Sequence, residues 1–199
     1  MSRPPSGPSL LLLALVLGAC RAADSKSART EIRPDVPISR APFREVHAAF
    51  KDRLEQPYVF LELRGSYAEV GRSLPALARE MKAQGLSASG PPFGLFFDDP
   101  GSVPVAELRA RIGFPVDGLA AVREPLRGDV LPAASVAYAF AGGPYPEVPR
   151  CYPGLLDYIK RMHWVLAGPI REIYLVAPET VQDWSELCCE IQIPVAMAP

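Results

Sequence analysis

The hexapeptide Gly65-Ser66-Tyr67-Ala68-Glu69-Val70 is matched by Gly143-Pro144-Tyr145-Pro146-Glu147-Val148 in the second half of the chain. Extending this alignment without a gap places residues 65–100 on residues 143–178, and 11 of the 36 columns are identical. So many identities at one fixed offset indicate an internal repeat rather than a chance match.

The repeat continues to the end of each half once a single inserted residue is allowed. Residues 106–116 then align on residues 185–195, with five of 11 columns identical. We therefore predict two copies of one structural unit, spanning residues 58–116 and 136–195.

Each copy is predicted to contain a strand, a helix and two further strands. The strands are expected at Tyr58–Arg64, Gly94–Asp98 and Leu108–Phe114, and again at Val136–Gly142, Glu172–Ala177 and Leu187–Ile193. Apolar residues at helical spacing follow each hexapeptide, as in Leu74, Leu77 and Met81. Pro75 and Pro153 are expected in the first turns of the two helices, where a missing N–H is tolerated.

One unit of this size buries too little apolar surface to be stable alone, so the two copies are expected to share one sheet. The predicted fold class is α+β: tandem β-α-β-β units form an antiparallel sheet with both helices on one face. Apolar and polar residues alternate along the third strands, which predicts that the polar side chains line a ligand cleft on the opposite face.

The N-terminus has the features of an export signal. The apolar run Leu10–Leu17 is too short to span a membrane, and the tetrapeptide Leu17-Gly18-Ala19-Cys20 resembles a bacterial lipoprotein box. We expect residues 1–19 to be a signal peptide and Cys20 to be lipidated; the alternative is an ordinary secretory signal. The protein is then exported and held at a membrane, on the periplasmic side or the cell surface.

Residues 20–56 are polar and punctuated by proline, which is typical of a tether. A short helix is expected within it near Arg44–Leu54, and the folded domain is expected to span residues 57–196.

Several classes of function find no support in the sequence. The 21 basic and 22 acidic residues give a net charge of −1, so nothing favours a nucleic-acid partner. The sequence lacks metal-ligand spacing and a phosphate-binding loop, and we expect no metal and no cofactor. Cys151, Cys188 and Cys189 are expected to be buried thiols, although a disulfide from Cys151 to one of the other two is an alternative.

Three features together resemble a known family. These are the Gly-x-Tyr-x-Glu turn of both copies, the strand Arg171–Pro178 and the terminal Glu190–Val195. They resemble the GyrI-like small-molecule-binding family, the effector-binding domain of many bacterial transcription activators. The resemblance covers about residues 58–195 and is weaker in the first copy, where Gly94-Leu95-Phe96-Phe97 departs from the usual Glu-x-Tyr pattern.

The resemblance implies a cleft that binds amphipathic, often cationic or aromatic compounds. It matches Glu190 to a cleft glutamate in the last strand and Tyr174 to a tyrosine of the preceding strand. Glu190 also stands where the first copy has Arg111, so the two halves differ chemically. The alternative for Glu190 is a solvated strand residue or a salt-bridge partner of Arg111.

The predicted ligand-binding set combines one carboxylate with aromatic walls. Its members are Glu190, Tyr174, Tyr138, Phe60, Phe96, Arg111, Tyr145 and Trp184. Among them, Tyr145 is expected to pack at the strand–helix turn and to reach the rim of the cleft, and Trp184 to close one end.

The leading hypothesis is a ligand-binding module that captures a small amphipathic compound; binding alone is favoured over catalysis, and the question of an enzyme stays open. One alternative is a hydrolase of a reactive small molecule, in which Glu190 activates water and Tyr174 polarises the leaving group. Another alternative is an interaction module for an envelope protein.

Overall fold

A computed structural model of the chain describes residue 1, residues 33–118 and residues 121–198. The chain divides into two units, Met1–Glu31 and Ile32–Pro199, and the fold below is that of the second. The predicted signal peptide, Cys20 and the first part of the predicted tether lie outside the described residues. In the part of the chain that is described, no helix has the length and apolar character needed to cross a membrane.

Within these described ranges, ten strands form one mostly antiparallel sheet. The strands are β1 Ser39–Arg40, β2 Ala48–Arg53, β3 Gln56–Arg64, β4 Phe93–Phe96, β5 Arg109–Pro115, β6 Arg127–Leu131, β7 Ala134–Gly142, β8 Trp164–Leu166, β9 Ile170–Tyr174 and β10 Cys188–Met197. The helices are α1 Glu69–Ala83 and α2 Tyr152–Arg161, with a 3-10 helix at Tyr145–Cys151 leading directly into α2.

The predicted duplication is confirmed by the order of the strands. The units β3-α1-β4-β5 and β7-α2-β9-β10 lie side by side in the order β7-β10-β9-β4-β5-β3, so a pseudo-twofold axis passes between β9 and β4. Gly94 of β4 faces Glu172 of β9, and these two residues are also equivalent in the repeat. The α+β fold class is therefore confirmed.

The repeated hexapeptide forms the turn from the first strand of each unit into its helix. Gly65 and Gly143 have φ values of 106° and 120°, a conformation that favours glycine. Tyr67 donates a hydrogen bond to the carbonyl of Asp98 at 2.8 Å, and Tyr145 makes the equivalent bond in the second copy. The tyrosines thus join the turn to the chain beyond the second strand, which explains why both copies carry them.

The two helices cover one side of the sheet, here called the helix face. Helix α1 packs mainly on β3 and β5, and α2 packs on β7 and β2, so the helices flank the central strands β4 and β9. Leu77 of α1 is buried with Ile112, and Leu155 and Ile159 of α2 are buried with Ile191. The alternation of the third strands therefore predicted correctly which residues lie under the helices.

The proline positions differ between the two helices. Pro153 lies in the first turn of α2, as predicted, but Pro75 lies inside α1. The prediction for Pro75 is wrong because the first copy becomes α-helical at Glu69, whereas the equivalent stretch of the second copy is a 3-10 helix.

Residues 33–53 belong to the folded domain, which corrects the predicted tether and its helix near Arg44–Leu54. Strands β1 and β2 both pair with β7, in parallel and antiparallel register respectively. The segment forms a strand rather than a helix, so successive side chains point to opposite faces of the sheet. Phe50 points to the helix face and Lys51 to the other face. Val46 then packs against Gly154 of α2.

The side of the sheet away from the helices, here called the inner face, is closed rather than open. Residues 54–55 join β2 to β3, and residues 132–133 join β6 to β7. Two-residue connections hold the two ends of the strand order close together, so the sheet curls around its inner face. Inner-face side chains such as Tyr58 and Phe93 are buried as a result. The aromatic and polar side chains of the face predicted to carry the ligand cleft are therefore largely covered by the protein itself.

Gly154→Ala is expected to lower the free energy of unfolding by about 1–3 kcal/mol, because a Cβ at this position would overlap the side chain of Val46. Without that contact, alanine for glycine in a helix would stabilise the protein by about 1 kcal/mol. Urea denaturation of the two single variants and the double variant with Val46→Ala measures the coupling. Stabilisation by Gly154→Ala alone would contradict the packing of residues 33–53 on α2.

Candidate functional site

The two copies differ at the pseudo-twofold axis, where Gly94 and Glu172 are equivalent. A Cβ on Gly94 would lie 3.1 Å from the hydroxyl oxygen of Tyr174 and 3.0 Å from the Phe96 ring. The absence of a side chain at Gly94 therefore allows Tyr174 and Phe96 to pack closely against β4 on the helix face. Glu172, at the equivalent position of the second copy, directs its carboxylate to this face, where it meets Tyr174.

Glu172 is a buried carboxylate whose described hydrogen-bond partners are neutral. Glu172 is only 4% exposed. Tyr152, the first residue of α2, donates to one carboxylate oxygen, and Tyr174 donates to the other at 3.0 Å. Burial raises the pKa of Glu172 to about 7, against the lowering effect of these two hydrogen bonds. Within the described ranges no salt bridge reaches this carboxylate.

Further aromatic rings pack beside Tyr174 and beside Gly94, the repeat equivalent of Glu172. The Tyr67 and Phe96 rings pack edge to face with centroids 4.9 Å apart, and the equivalent rings Tyr145 and Tyr174 are also 4.9 Å apart. Tyr174 contacts the cores of both copies. We call Glu172, Tyr152, Tyr174, Phe96, Tyr67 and Tyr145 the axial site.

The axial site has the chemistry of a receptor for an organic cation. An ionised carboxylate supplies the opposite charge, and aromatic faces attract cations and pack against apolar groups. The flanking helices limit access of water to the carboxylate, which strengthens its interaction with a bound charge.

Glu190, the predicted charge partner, lies on the inner face. Its carboxylate forms a 2.7 Å salt bridge with Lys51 and accepts a hydrogen bond from Gln192 at 2.7 Å. In the register of β9 and β10, Tyr174 pairs with Cys189, so Tyr174 and Glu190 point to opposite faces. The two residues therefore cannot line one cleft, nor can they act together as the catalytic pair of the predicted hydrolase.

Arg111 and Phe60 also lie on the inner face. The Arg111 guanidinium forms a 2.7 Å salt bridge with Asp129 and lies 4.2 Å from the centroid of the Phe60 ring. Tyr138 donates to Asp35 at 2.7 Å and stacks beneath the ammonium group of Lys51. These predicted residues thus have partners within the protein.

The remaining predicted residues separate into two places. Phe96, Tyr145 and Tyr174 meet in the axial site, on the helix face. Trp184 lies in a 3-10 helix before β10 and is 60% exposed.

Cys151, Cys188 and Cys189 are buried and free, and the disulfide alternative is not formed. Cys151 and Cys189 lie in the core under α2, whereas Cys188 lies in the cluster with Tyr138 on the inner face. Burial raises the pKa of Cys151 and of Cys188 to about 11, so both remain thiols at neutral pH.

Glu172 is the functional candidate that the sequence analysis did not select. Two signals in the sequence point to it. It is two residues from Tyr174 in one strand, which places both side chains on the same face, and it replaces Gly94 at the equivalent repeat position.

The chain belongs to the GyrI-like family, because the family model of the GyrI-like small molecule binding domain matches residues 49–196. The match includes most of β2, in agreement with the pairing of this strand in the sheet. None of the curated proteins compared with the chain matches it.

Solved structures share the fold at low sequence identity. The EcmrR C-terminal domain superimposes with a TM-score of 0.69 and 22% identity over 77% of this chain and 99% of that domain. A match to EcmrR in a complex with DNA covers 57% of the EcmrR chain. A hydrolase encoded by lin2189 from Listeria innocua has a TM-score of 0.54 and 13% identity, over 75% of this chain and 91% of the other. SAV2435 bound to tetraphenylphosphonium has a TM-score of 0.52 and 14% identity, over 75% and 93% respectively.

Glu172→Gln is expected to raise the free energy of unfolding at about pH 8 by about 1–3 kcal/mol, because an amide avoids the cost of a buried carboxylate. In the wild type, Glu172 contributes most to the free energy of unfolding below its ordinary pKa of 4.5, where it is protonated in both the folded and the unfolded state. This contribution falls as the pH rises to about 7, because Glu172 ionises at a lower pH in the unfolded chain than in the folded protein.

Urea denaturation across this pH range measures the effect. The control is Glu190→Gln, which removes a carboxylate from the inner face and is expected to retain the fall in stability. Parallel pH profiles for the wild type and Glu172→Gln would contradict the assignment.

Proposed function

We propose that this protein binds a lipophilic aromatic cation in the axial site, with Glu172 as its charge partner. The proposal rests on one observation: a buried carboxylate with only tyrosine hydroxyls as described partners lies among aromatic rings at the axis between the two copies. A monovalent organic cation with aromatic groups complements both the charge and the apolar surroundings.

The energetics favour a ligand at this position. A buried carboxylate without a cationic partner is costly, and its raised pKa reflects that cost. A cation bound beside Glu172 favours the ionised carboxylate and offsets the cost of burying it. Binding is therefore expected to release a proton below about pH 7.

One structural neighbour has been solved with a ligand of the class proposed here. SAV2435, which shares the fold, has been solved bound to tetraphenylphosphonium, a lipophilic cation with four aromatic rings. At 14% identity the likeness concerns the fold alone, and the cation therefore serves as a probe for this chain.

A second candidate is hydrolysis of a bound small molecule, with Glu172 as general base in place of Glu190. It is favoured by the pKa of about 7 and by the Tyr174 hydroxyl 3.0 Å from the carboxylate, since a base with a pKa near the working pH is efficient. Release of product from an ester of an aromatic cation, abolished by Glu172→Gln while the ester still binds, would distinguish hydrolysis from binding alone.

We also infer that the protein is exported and anchored to a membrane through lipidated Cys20. The support is the apolar run Leu10–Leu17 followed by the lipoprotein-like Leu17-Gly18-Ala19-Cys20. A lipid anchor would hold the binding domain at a membrane surface, where lipophilic cations accumulate.

Tetraphenylphosphonium is expected to bind more tightly than tetraphenylborate, an anion of nearly the same shape, because only the cation complements Glu172. Glu172→Gln is expected to lower the affinity for the cation by about 10- to 100-fold, the range for losing a contact to a charged group. Titration calorimetry or quenching of tyrosine fluorescence measures both affinities.

The matched control is Glu190→Gln, which removes a carboxylate from the inner face and should leave the affinity for the cation unchanged. For the wild type, the affinity should fall about tenfold for each pH unit below about 7, as Glu172 becomes protonated. Equal affinities for tetraphenylphosphonium and tetraphenylborate would exclude the axial site as the cation-binding site. A loss of cation affinity in Glu190→Gln rather than in Glu172→Gln would exclude it as well.

Cys20→Ala is expected to move the protein from the membrane fraction to the soluble fraction and to abolish its labelling with radioactive palmitate. Cys151→Ala serves as the control, because Cys151 is buried in the folded domain and should not affect either readout. Unchanged membrane association of Cys20→Ala would contradict the proposed anchor.

A further inference from the structure

Arg171 is a buried guanidinium on the inner face of the sheet. It pairs with Gln192 in the register of β9 and β10 and is only 4% exposed. Its guanidinium stacks on the Phe93 ring with the carbon 4.0 Å from the centroid, and one terminal nitrogen donates to the Gln56 side chain at 2.6 Å. The Nε atom is buried and has no hydrogen-bond partner.

A second guanidinium, that of Arg53, lies on the same inner face. Arg53 pairs with Ala134 at the end of β2, two residues from Lys51, and it is partly buried. One of its terminal nitrogens donates to the carbonyl oxygen of Pro132 at 2.6 Å, while its Nε atom is buried without a partner. Burial, together with the neighbouring charge of Arg53, lowers the pKa of Arg171 to about 10.

Within the described residues, the charge of Glu190 acts favourably on Arg171, but this carboxylate is hydrogen-bonded and ion-paired with other side chains. Glu190 is paired with Lys51 at 2.7 Å, and Asp35 accepts a hydrogen bond from Tyr138. Among the same residues no ion pair joins a carboxylate to Arg53 or Arg171. A buried and a partly buried guanidinium, each with an unpaired Nε–H group, are unfavourable near one another, and a bound anion would offset this cost.

We propose that Arg53 and Arg171 form a binding site for a small oxyanion, such as the phosphate or carboxylate group of a ligand. The planar guanidinium matches the oxygen geometry of such groups and forms strong, charge-assisted hydrogen bonds with them. Arg53 is partly buried and adjoins Leu54, which is 82% exposed, so this end of the site lies beside the solvent-exposed connection between β2 and β3.

This oxyanion site is separate from the axial site and does not depend on the cation proposal. Arg171 and Glu172 are adjacent in β9, so their side chains extend to opposite faces of the sheet. A cation bound beside Glu172 and an anion bound beside Arg171 would therefore be separated by the sheet itself.

Thermal denaturation of the full chain in sodium phosphate and in sodium chloride of equal ionic strength tests the proposal. Phosphate is expected to raise the Tm by several degrees more than chloride, because it binds only the folded state. Arg53→Gln should abolish that difference, whereas Arg79→Gln, which removes an exposed charge on α1, should retain it.

Arg171→Gln should also abolish the response to phosphate; Arg53→Gln provides the same test if Arg171→Gln does not fold. A purely structural role of Arg53, through its bond to Pro132, would lower the Tm equally in both salts and would overturn the proposal. Equal Tm values of the wild type in phosphate and in chloride would overturn it as well.

Discussion

The antiparallel pairing of β4 with β9 is the interaction on which the rest of the structure depends. It joins two copies that are too small to be stable separately into one sheet, and it brings Gly94 opposite its own repeat equivalent, Glu172. Away from this axis, a glutamate would pair with a residue that is not its own repeat equivalent. At the axis it faces the side chains of both halves, so one substitution between the copies creates a single asymmetric site.

Strand β9 carries the two most buried charges of the described structure side by side in the sequence. Arg171 and Glu172 are each 4% exposed, yet the alternation of the strand sends them to opposite faces. Each is desolvated without an oppositely charged partner at salt-bridge distance in the described part of the chain. Groups in such surroundings contribute poorly to stability, which favours a role in binding for both.

Closure of the sheet gives its two faces different surroundings. The short connections at residues 54–55 and 132–133, together with the pairing of β1 and β2 to β7, enclose the inner face and bury its aromatic rings. On the helix face, the two helices lie over the outer strands of their own units and flank the central pair. The partly buried tyrosines of the axial site therefore lie over the central strands, between the two helices.

The amino-acid sequence alone determined the duplication, the order of elements in each copy, the helix face of the third strands and the family. These features depend on patterns within one segment of the chain. There the period of two residues in a strand, or 3.6 residues in a helix, indicates which side chains point in the same direction. The contact of Glu172 with Tyr152 of α2, the pairing of β2 in the sheet and the closure of the inner face were decided only by the tertiary structure. They depend on the register between strands far apart in the chain, and a strand's own alternation does not specify which face of its neighbour it meets.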